Sequence, residues 1–150
     1  MTRINSGISP KILTDEHLLA EHREIKRLPA QYLLSVASGS INKIPDKFCL
    51  GKGHVLFFIN KPLYTLNRYK EIREECLSRG FNVSDYSENW KAYPPDMYID
   101  NYFPSIEENQ LLVDRISRRI LESSKKHFHY KSQPITKDQA IDLLYDSTKI

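Results

Sequence analysis

Cysteine is scarce in this sequence: its 150 residues include only Cys49 and Cys76. Their spacing fits no metal-binding motif, and two cysteines cannot build the disulfide framework of a small secreted domain. The chain also lacks any apolar run near the roughly 20 residues of a membrane-spanning helix, and its N-terminus lacks the pattern of a signal peptide. We therefore expect a soluble, cytoplasmic protein with no membrane partner.

Glycine is sparse as well, with five residues, and Gly51-Lys52-Gly53 lacks the spacing of a phosphate-binding loop. A tight turn is the simpler interpretation of this tripeptide. The net charge of +3 is compatible with nucleic-acid binding but is not diagnostic of it. A chain of this length is expected to form a single domain, residues 1–150.

Hydrophobic periodicity predicts a mostly α-helical fold, a compact bundle of three main helices joined by irregular loops. The main helices are predicted at residues 15–38, 62–79 and 105–123, with a break or kink near Pro29. An extra amphipathic helix is predicted at residues 136–147, within a C-terminal extension of residues 132–150. The run at 54–59 fits either a strand or a helix, and the aromatic stretch at 82–104 fits a loop packed on the core.

The first predicted helix has two different faces. At about 100° per residue, an apolar stripe that should face the core is formed by Leu18, Ile25, Tyr32 and Val36. The opposite arc carries Glu16, His17, Ala20, Arg23, Glu24 and Arg27. This arc fits either a site that holds a carboxylate among arginines or a solvated face with intrahelical ion pairs. Glu21 lies toward the apolar stripe, and we expect it to matter mainly for folding.

The N-terminus offers a nucleophile of a different kind. Thr2 is small enough for the initiator methionine to be removed, which would leave a free α-amine on Thr2. Such an amine has a pKa of about 7.7–8.0 and is partly neutral at physiological pH, so it can form a Schiff base. The charge of Arg3 would lower that pKa further. Alternatively this is an ordinary chain start, and a chain that keeps Met1 lacks the nucleophile.

Several motifs carry a resemblance to a known family. They are Met-Thr-Arg-Ile-Asn at residues 1–5, Asp-Glu-His-Leu-Leu-Ala-Glu-His-Arg-Glu at 15–24, Leu-Gly-Lys-Gly-His-Val-Leu-Phe-Phe at 50–58, and Glu-Cys-Leu-Ser-Arg-Gly-Phe-Asn at 75–82. Weaker similarity continues through Arg115 and Arg119 to the aromatic and basic residues at 127–131. The sequence resembles the phage pyrimidine-dimer DNA glycosylases, the ultraviolet endonuclease V family, over residues 1–131.

The resemblance implies a repair glycosylase with abasic-site lyase activity on pyrimidine dimers in duplex DNA. It implies that the Thr2 α-amine forms an imine with the sugar, that Glu24 is the catalytic carboxylate, and that a nucleotide is extruded or the duplex kinked. The implied DNA-binding residues are Arg3, His17, Arg23, Arg27, Arg115, Arg119, His127, Phe128 and Tyr130. No cofactor, metal or obligate protein partner is implied, and we expect a monomer in the cytoplasm, that of the host cell if a phage encodes it.

Some positions depart from the family pattern. Glu16 replaces a glutamine, His22 a tyrosine, Ile25-Lys26 a Leu-Pro pair, and His127 a tryptophan. The alternatives are therefore a nuclease or glycosylase of related fold that acts on another lesion or a modified base, and a nucleic-acid-binding protein without catalysis. The extension after residue 131 has no family counterpart, and it could complete the core or bind a partner.

Overall fold

The computed structural model describes residues 3–146, which fold as a mostly helical single domain with one small β-hairpin. This confirms the predicted fold class. The six α-helices of this range are α1 Asp15–Ile25, α2 Leu28–Ser38, α3 His54–Phe58, α4 Pro62–Ser78, α5 Ile106–Glu122 and α6 Lys137–Leu143. Strands β1 His127–Tyr130 and β2 Gln133–Thr136 pair antiparallel, with His127 opposite Thr136. None of the helices in this range is long and apolar enough to cross a membrane.

The first predicted helix is two helices, α1 and α2, because Pro29 interrupts the chain of backbone hydrogen bonds. Proline lacks an N–H and is tolerated in the first turn, so a new helix begins just before it. Thr14 caps α1 by accepting a hydrogen bond from the His17 backbone N–H at 3.2 Å. Leu18, Ile25 and Tyr32 are buried as predicted, but Val36 is 51% exposed. The prediction for Val36 was wrong because the apolar stripe does not continue through the break.

Two clusters of buried side chains form the core. One lies among α1, α4, α5 and the C-terminal elements and is aliphatic, with Leu18, Ile72, Leu112 and Ile116 among its members. The other is largely aromatic and includes Tyr32, Phe58, Tyr69, Trp90, Tyr93 and Tyr102. The stretch at 82–104 therefore packs on the core, as predicted, and the Trp90 indole N–H donates to Thr65 Oγ1 at 3.1 Å.

The run at 54–59 is helical, which settles the choice between strand and helix. Gly53 precedes α3 with φ +95°, a left-handed conformation that favours glycine. His54, Phe57 and Phe58 all point into the protein from this short helix.

The C-terminal hairpin was not predicted. Its turn residues, Lys131 and Ser132, both have positive φ, at 50° and 69°, as in the tight turns that suit hairpins. Neither residue is the glycine or asparagine that normally signals such a turn. Their backbone N–H groups donate to the two carboxylate oxygens of Asp15, at 3.0 and 2.8 Å.

Helix α6 packs on the protein core. Thr136 and Gln139 form a capping box at its start. Ala140 and Leu144 are buried in the aliphatic cluster, while Tyr145 is exposed. The helix ends at Leu143, short of the predicted residue 147, which lies outside the described range.

Candidate active site

Side chains of α1, α3 and α4 anchor the N-terminal segment. Four of its backbone N–H groups donate to such side chains: Arg3 to Glu24 Oε2 at 3.1 Å, Ile4 to His54 Nε2 at 3.1 Å, Asn5 to Glu21 Oε2 at 3.3 Å, and Gly7 to the Tyr64 hydroxyl at 3.1 Å. A segment without regular secondary structure thus has its donors satisfied by side chains. These hydrogen bonds hold the backbone of residues 3–7 against the three helices. Met1 and Thr2, the proposed nucleophile, lie outside the described residues.

Glu21 is the deepest of these anchors. Its carboxylate forms a two-pronged ion pair with Arg68, at 2.8 Å to Nε and 3.0 Å to Nη2, and also accepts from Asn5 Nδ2 at 2.9 Å. Arg68 additionally donates to the backbone oxygen of Ile8. Burial opposes the charge of Arg68, yet the Glu21 carboxylate raises the pKa of Arg68 above its usual value. This buried pair links α1, α4 and the N-terminal segment.

Glu24 is half-buried one turn further along α1 and accepts the Arg3 N–H. Within residues 3–146 no arginine or lysine lies within ion-pair distance of its carboxylate. The intrahelical ion pair with Arg27, expected for a simple solvated face, is therefore not formed. The carboxylate instead contacts the N-terminal segment at Arg3.

An open pocket of about 470 Å³ lies between α1, α5 and the hairpin; Arg3, whose backbone N–H binds Glu24, lines it, whereas Glu24 itself does not. The pocket brings together five of the predicted site residues, Arg3, His17, Arg23, Arg119 and Phe128, and adds Glu16, Ala20, Glu122, Ser123 and Lys125. Four of these side chains carry positive charge and two carry negative charge. This excess of positive charge suits an anionic ligand such as a phosphate, and we call the site the cationic pocket.

Two buried guanidinium nitrogens in this pocket have no hydrogen-bond partner among residues 3–146. They are Nε of Arg3 and Nη1 of Arg119. A buried donor without a partner costs free energy, and the cost is larger for a charged group. Both nitrogens are shielded from solvent, so their positive charge, not a direct hydrogen bond, is what they offer to an anion in the pocket.

His17 forms part of the pocket wall. Its Nδ1 is 2.8 Å from Thr14 Oγ1, and its ring stacks on Phe128 with centroids 5.9 Å apart. Burial, reinforced by the charge of Arg3, lowers the pKa of His17 to about 4. The ring is therefore neutral at physiological pH and contributes shape and hydrogen bonding, not charge.

The other predicted DNA-binding residues lie outside the pocket. Arg27 is exposed in the short link between α1 and α2. Arg115 is only 7% exposed, and its Nη2 donates to Asn5 Oδ1 at 3.4 Å, behind the N-terminal segment. Burial, followed by repulsion from Arg119 and Arg3, lowers the pKa of Arg115 to about 10.

The hairpin divides its predicted DNA-binding residues between two sides. His127 is exposed to solvent. Phe128 is buried in the core, and Tyr130 turns toward the protein, where its hydroxyl donates to the Lys11 backbone oxygen at 2.7 Å. The strand alternates direction at each residue, so the interleaved cations and rings of the sequence do not share one face.

Two residues have contacts at the site that the sequence did not reveal. His54 is buried, with Nδ1 donating to the Cys49 oxygen at 2.9 Å and Nε2 accepting from the Ile4 N–H. Burial lowers the pKa of His54 to about 4, which keeps Nε2 free to accept. Asn5 joins Glu21 to Arg115. The only sequence features that could have indicated these contacts are the place of His54 directly after Gly53 and the place of Asn5 close to the N-terminus.

A larger cleft than this pocket lies elsewhere on the described part of the chain. It has a volume of about 730 Å³ and is lined by residues such as Lys61, Tyr102 and Phe103, none of them predicted site residues. Volume alone does not mark the functional site, and the smaller pocket at Arg3 is the better candidate because four cationic side chains line it. Among residues 3–146 no group of three histidine, cysteine, aspartate or glutamate side chains is arranged to hold a metal ion.

The fold and the site define a helical protein with a pocket lined by cationic side chains next to its N-terminal segment, and a carboxylate held against the same segment. A family model described as pyrimidine dimer DNA glycosylase matches residues 1–89, more than half of the chain. The chain belongs to the pyrimidine dimer DNA glycosylase family, as the sequence motifs suggested. It is a DNA repair enzyme of the kind that acts on pyrimidine dimers, and its substrate is damaged DNA. The matched region contains the N-terminal segment and α1 to α4, and α5, the hairpin and α6 lie beyond it.

Proposed function

We propose that the enzyme releases a base of a pyrimidine dimer in duplex DNA and then cuts the strand at the abasic site, through an imine formed by the α-amine of Thr2. The observation that carries this proposal is the hydrogen bond from the Arg3 N–H to Glu24 Oε2. Three covalent bonds separate the nitrogen of residue 3 from the α-nitrogen of residue 2, so the two atoms lie within about 4 Å of each other. The amine and the carboxylate can thus meet the same sugar.

The reaction would proceed in two stages. In the first, the lone pair of the amine attacks C1′, the glycosidic bond breaks with its electrons leaving on the base, and a proton passes from the amine to the departing base. The nitrogen lone pair then forms the C1′=N bond while the C1′–O4′ bond breaks with its electrons on O4′, which takes up a proton, and the ring-opened product is a protonated imine. In the second, a proton leaves C2′ and the C3′–O bond breaks, with its electrons leaving on the phosphate. Water finally hydrolyses the imine and restores the amine.

Glu24 would serve both stages. A carboxylate beside C1′ stabilises the positive charge that develops on the sugar and the imine, and it can also move protons. These interactions are stronger in the transition state than with the bound substrate, so they raise the rate more than the affinity.

The cationic pocket would hold the DNA. Arg3, Arg23 and Arg119 surround it, and Arg27 extends the positive charge along the next helix start. Each phosphate contact would position the duplex without reading its sequence. A sugar within an intact base stack is out of reach, so the duplex must be kinked or a nucleotide extruded. One chain supplies amine, carboxylate and cations, which supports action as a monomer.

Substitution of Glu24 by glutamine tests this proposal. Glu24→Gln keeps the side-chain shape and removes the charge, so single-turnover cleavage of a dimer-containing duplex should slow by on the order of a hundredfold or more. Binding, measured in parallel, should stay within a few-fold, because losing a negative charge does not weaken attraction to phosphates. Glu122→Gln is the matched control, since Glu122 is a carboxylate on α5 that lines the pocket at Arg3 and should change the cleavage rate little. A folded Glu24→Gln protein that cuts at the wild-type rate would remove Glu24 from the mechanism.

A further inference from the structure

Two further cations lie beside the cationic pocket, on the surface where α1 packs against α4. They are Lys26, the C-cap residue of α1, and Arg73 on α4, and we call them the α1–α4 cations. Lys26 follows Arg23, which lines the cationic pocket, by three positions, so the two side chains are neighbours on consecutive turns. Positive charge therefore continues from the pocket around α1 and onto α4.

The buried ring of His22 shows that these cations lie close together. His22 is only 4% exposed and belongs to the same stretch of α1. Burial lowers the pKa of His22, and the positive charges of Lys26, Arg73 and Arg23 lower it further. All three cations thus act on a single buried ring that does not balance their charge.

Aromatic side chains fix the position of the Lys26 charge. Lys26 Nζ lies 3.9 Å from the centroid of the Tyr86 ring, which is a cation–π contact. The backbone N–H of Tyr86 donates to the Tyr69 hydroxyl at 2.8 Å, and that hydroxyl is 3.2 Å from His22 Nε2. A charge that is already held in place loses less conformational entropy when a ligand binds to it.

The α1–α4 cations have no carboxylate partner in the described part of the chain. Among residues 3–146 no acidic side chain lies within ion-pair distance of Lys26 or Arg73. Asp85 is near enough to Arg73 and Lys70 for their charges to help lower its pKa, after the larger effect of the Ser87 hydrogen bond. That single carboxylate leaves the surface with a positive excess, which is available to an external anion.

We propose that Lys26 and Arg73 bind phosphates of the duplex on one side of the lesion, outside the cationic pocket. Packed helices lie about 8–10 Å apart, and each DNA strand carries a phosphate about every 3.4 Å, so a strand held at Arg23 has further phosphates within reach of α4. Such contacts position the duplex without reading its sequence. Lys26 stands where the family pattern has a proline, so the resemblance does not supply this contact. The inference rests on the proposed function, in which the cationic pocket holds DNA.

The salt dependence of binding tests the inference. The Kd is measured for a duplex with a tetrahydrofuran abasic analogue, which cannot form an imine, at about 50 mM and about 200 mM salt. Lys26→Gln and Arg73→Gln should each lower the slope of log affinity against log salt by about 0.9, so the wild type should lose about 3.5-fold more affinity than either variant between these conditions. Lys26→Arg and Arg73→Lys keep the charge and should keep the slope. Lys52→Gln, at an exposed lysine on the loop before α3, is the control and should also keep it.

Shortened duplexes separate a direct contact from general attraction. Two duplexes that end a few base pairs from the analogue, one shortened on each side, are compared with a longer duplex. On one of the two, the wild type and Lys26→Gln/Arg73→Gln should bind with the same Kd, because the phosphates that these residues contact are missing. On the other, the weaker binding of the double variant should persist.

An unchanged salt slope in a folded double variant, or a difference in Kd that persists on both shortened duplexes, overturns the inference. If Arg73→Gln unfolds at a lower temperature than the wild type, Lys26→Gln carries the test alone, with Lys26→Arg as its charge-retaining control. Failure of the proposed function gives a different result, because the wild type would then not cut a dimer-containing duplex, whatever the salt slopes of the variants.

Discussion

Glu21 and Glu24 lie one turn apart on α1, and their substitution should have opposite consequences. Glu21→Gln keeps the shape of the side chain but removes the charge that Arg68 faces in the interior. Both side chains of this ion pair are almost fully buried, at 0% and 4% exposed. Arg68 would retain its charge with no buried anion to balance it, and Asn5 would lose part of its anchorage.

The size of the effect follows from this burial. Removing one partner of a buried ion pair costs about 3–5 kcal/mol, because the other charge is left uncompensated. A domain of this kind has a total stability of about 5–15 kcal/mol, so the loss is a large share of it. At about 2–4 °C per kcal/mol for this chain length, the Tm should fall by roughly 10 °C. Glu24→Gln affects one hydrogen bond on a half-buried side chain and should cost about 1 kcal/mol.

Urea unfolding followed by circular dichroism measures both free energies of unfolding. The expected outcome is a Glu21→Gln protein with a much lower unfolding midpoint that still cuts DNA at low temperature, where it is folded. Glu24→Gln should show the reverse pattern, near-normal stability and little cleavage. A Glu21→Gln protein as stable as the wild type would contradict the role of the buried pair.

Three further predictions concern other parts of the chain. Arg27→Ala should lower the slope of log affinity against log salt concentration by about 0.9, and an unchanged slope would place Arg27 away from the DNA. The pKa of His54 falls from about 6.5 in the unfolded chain to about 4 in the folded one, so the unfolded form binds the extra proton between these values. The free energy of unfolding should therefore drop by about 3 kcal/mol from pH 6.5 to pH 4, and His54→Gln should flatten that dependence in acid titrations. Gly7→Ala should lower the Tm measurably, because Gly7 has φ +76° and an added Cβ would lie 1.9 Å from Asn109 Oδ1.

Features encoded locally could be predicted from the sequence. Helix α5 lies within the predicted range of 105–123, with Ser105 as its N-cap, and Leu112, Ile116 and Ile120 are buried on one side of it, with the spacing typical of an amphipathic helix. The break before Pro29 follows from the chemistry of proline alone. Each of these depends on residues only a few positions apart, so local pattern is sufficient to find them.

Features that depend on distant partners could not be predicted. The hairpin turn at Lys131 and Ser132 has no glycine or asparagine, and it receives support from Asp15, more than a hundred residues away. Arg115 has the sequence pattern of a surface cation, yet the packing of α5 against the N-terminal segment buries it. The sequence identifies Arg115 as a cation on a helix. It does not show which side of α5 the N-terminal segment covers.

Some residues of the candidate site could be identified from the sequence, whereas others depend on contacts between distant parts of the chain. The family resemblance singled out Glu24, and in the structure Glu24 accepts the hydrogen bond of the Arg3 backbone N–H. The anchoring contact of His54 with Ile4 spans 50 residues and appears in no local pattern. Likewise, the hydrogen bonds between Glu16 and His129 join residues 113 positions apart.

Borohydride trapping on abasic duplex DNA tests the imine mechanism most directly. Reduction of the imine should join the protein covalently to the DNA, and mass spectrometry of the digested adduct should locate the link on the α-nitrogen of Thr2. A matched protein with an acetylated N-terminus, or one that keeps Met1, should bind the same duplex but give no adduct at Thr2 and no strand cleavage. Wild-type cleavage by the acetylated protein, or an adduct on a lysine side chain, would contradict the assignment of the Thr2 amine as nucleophile.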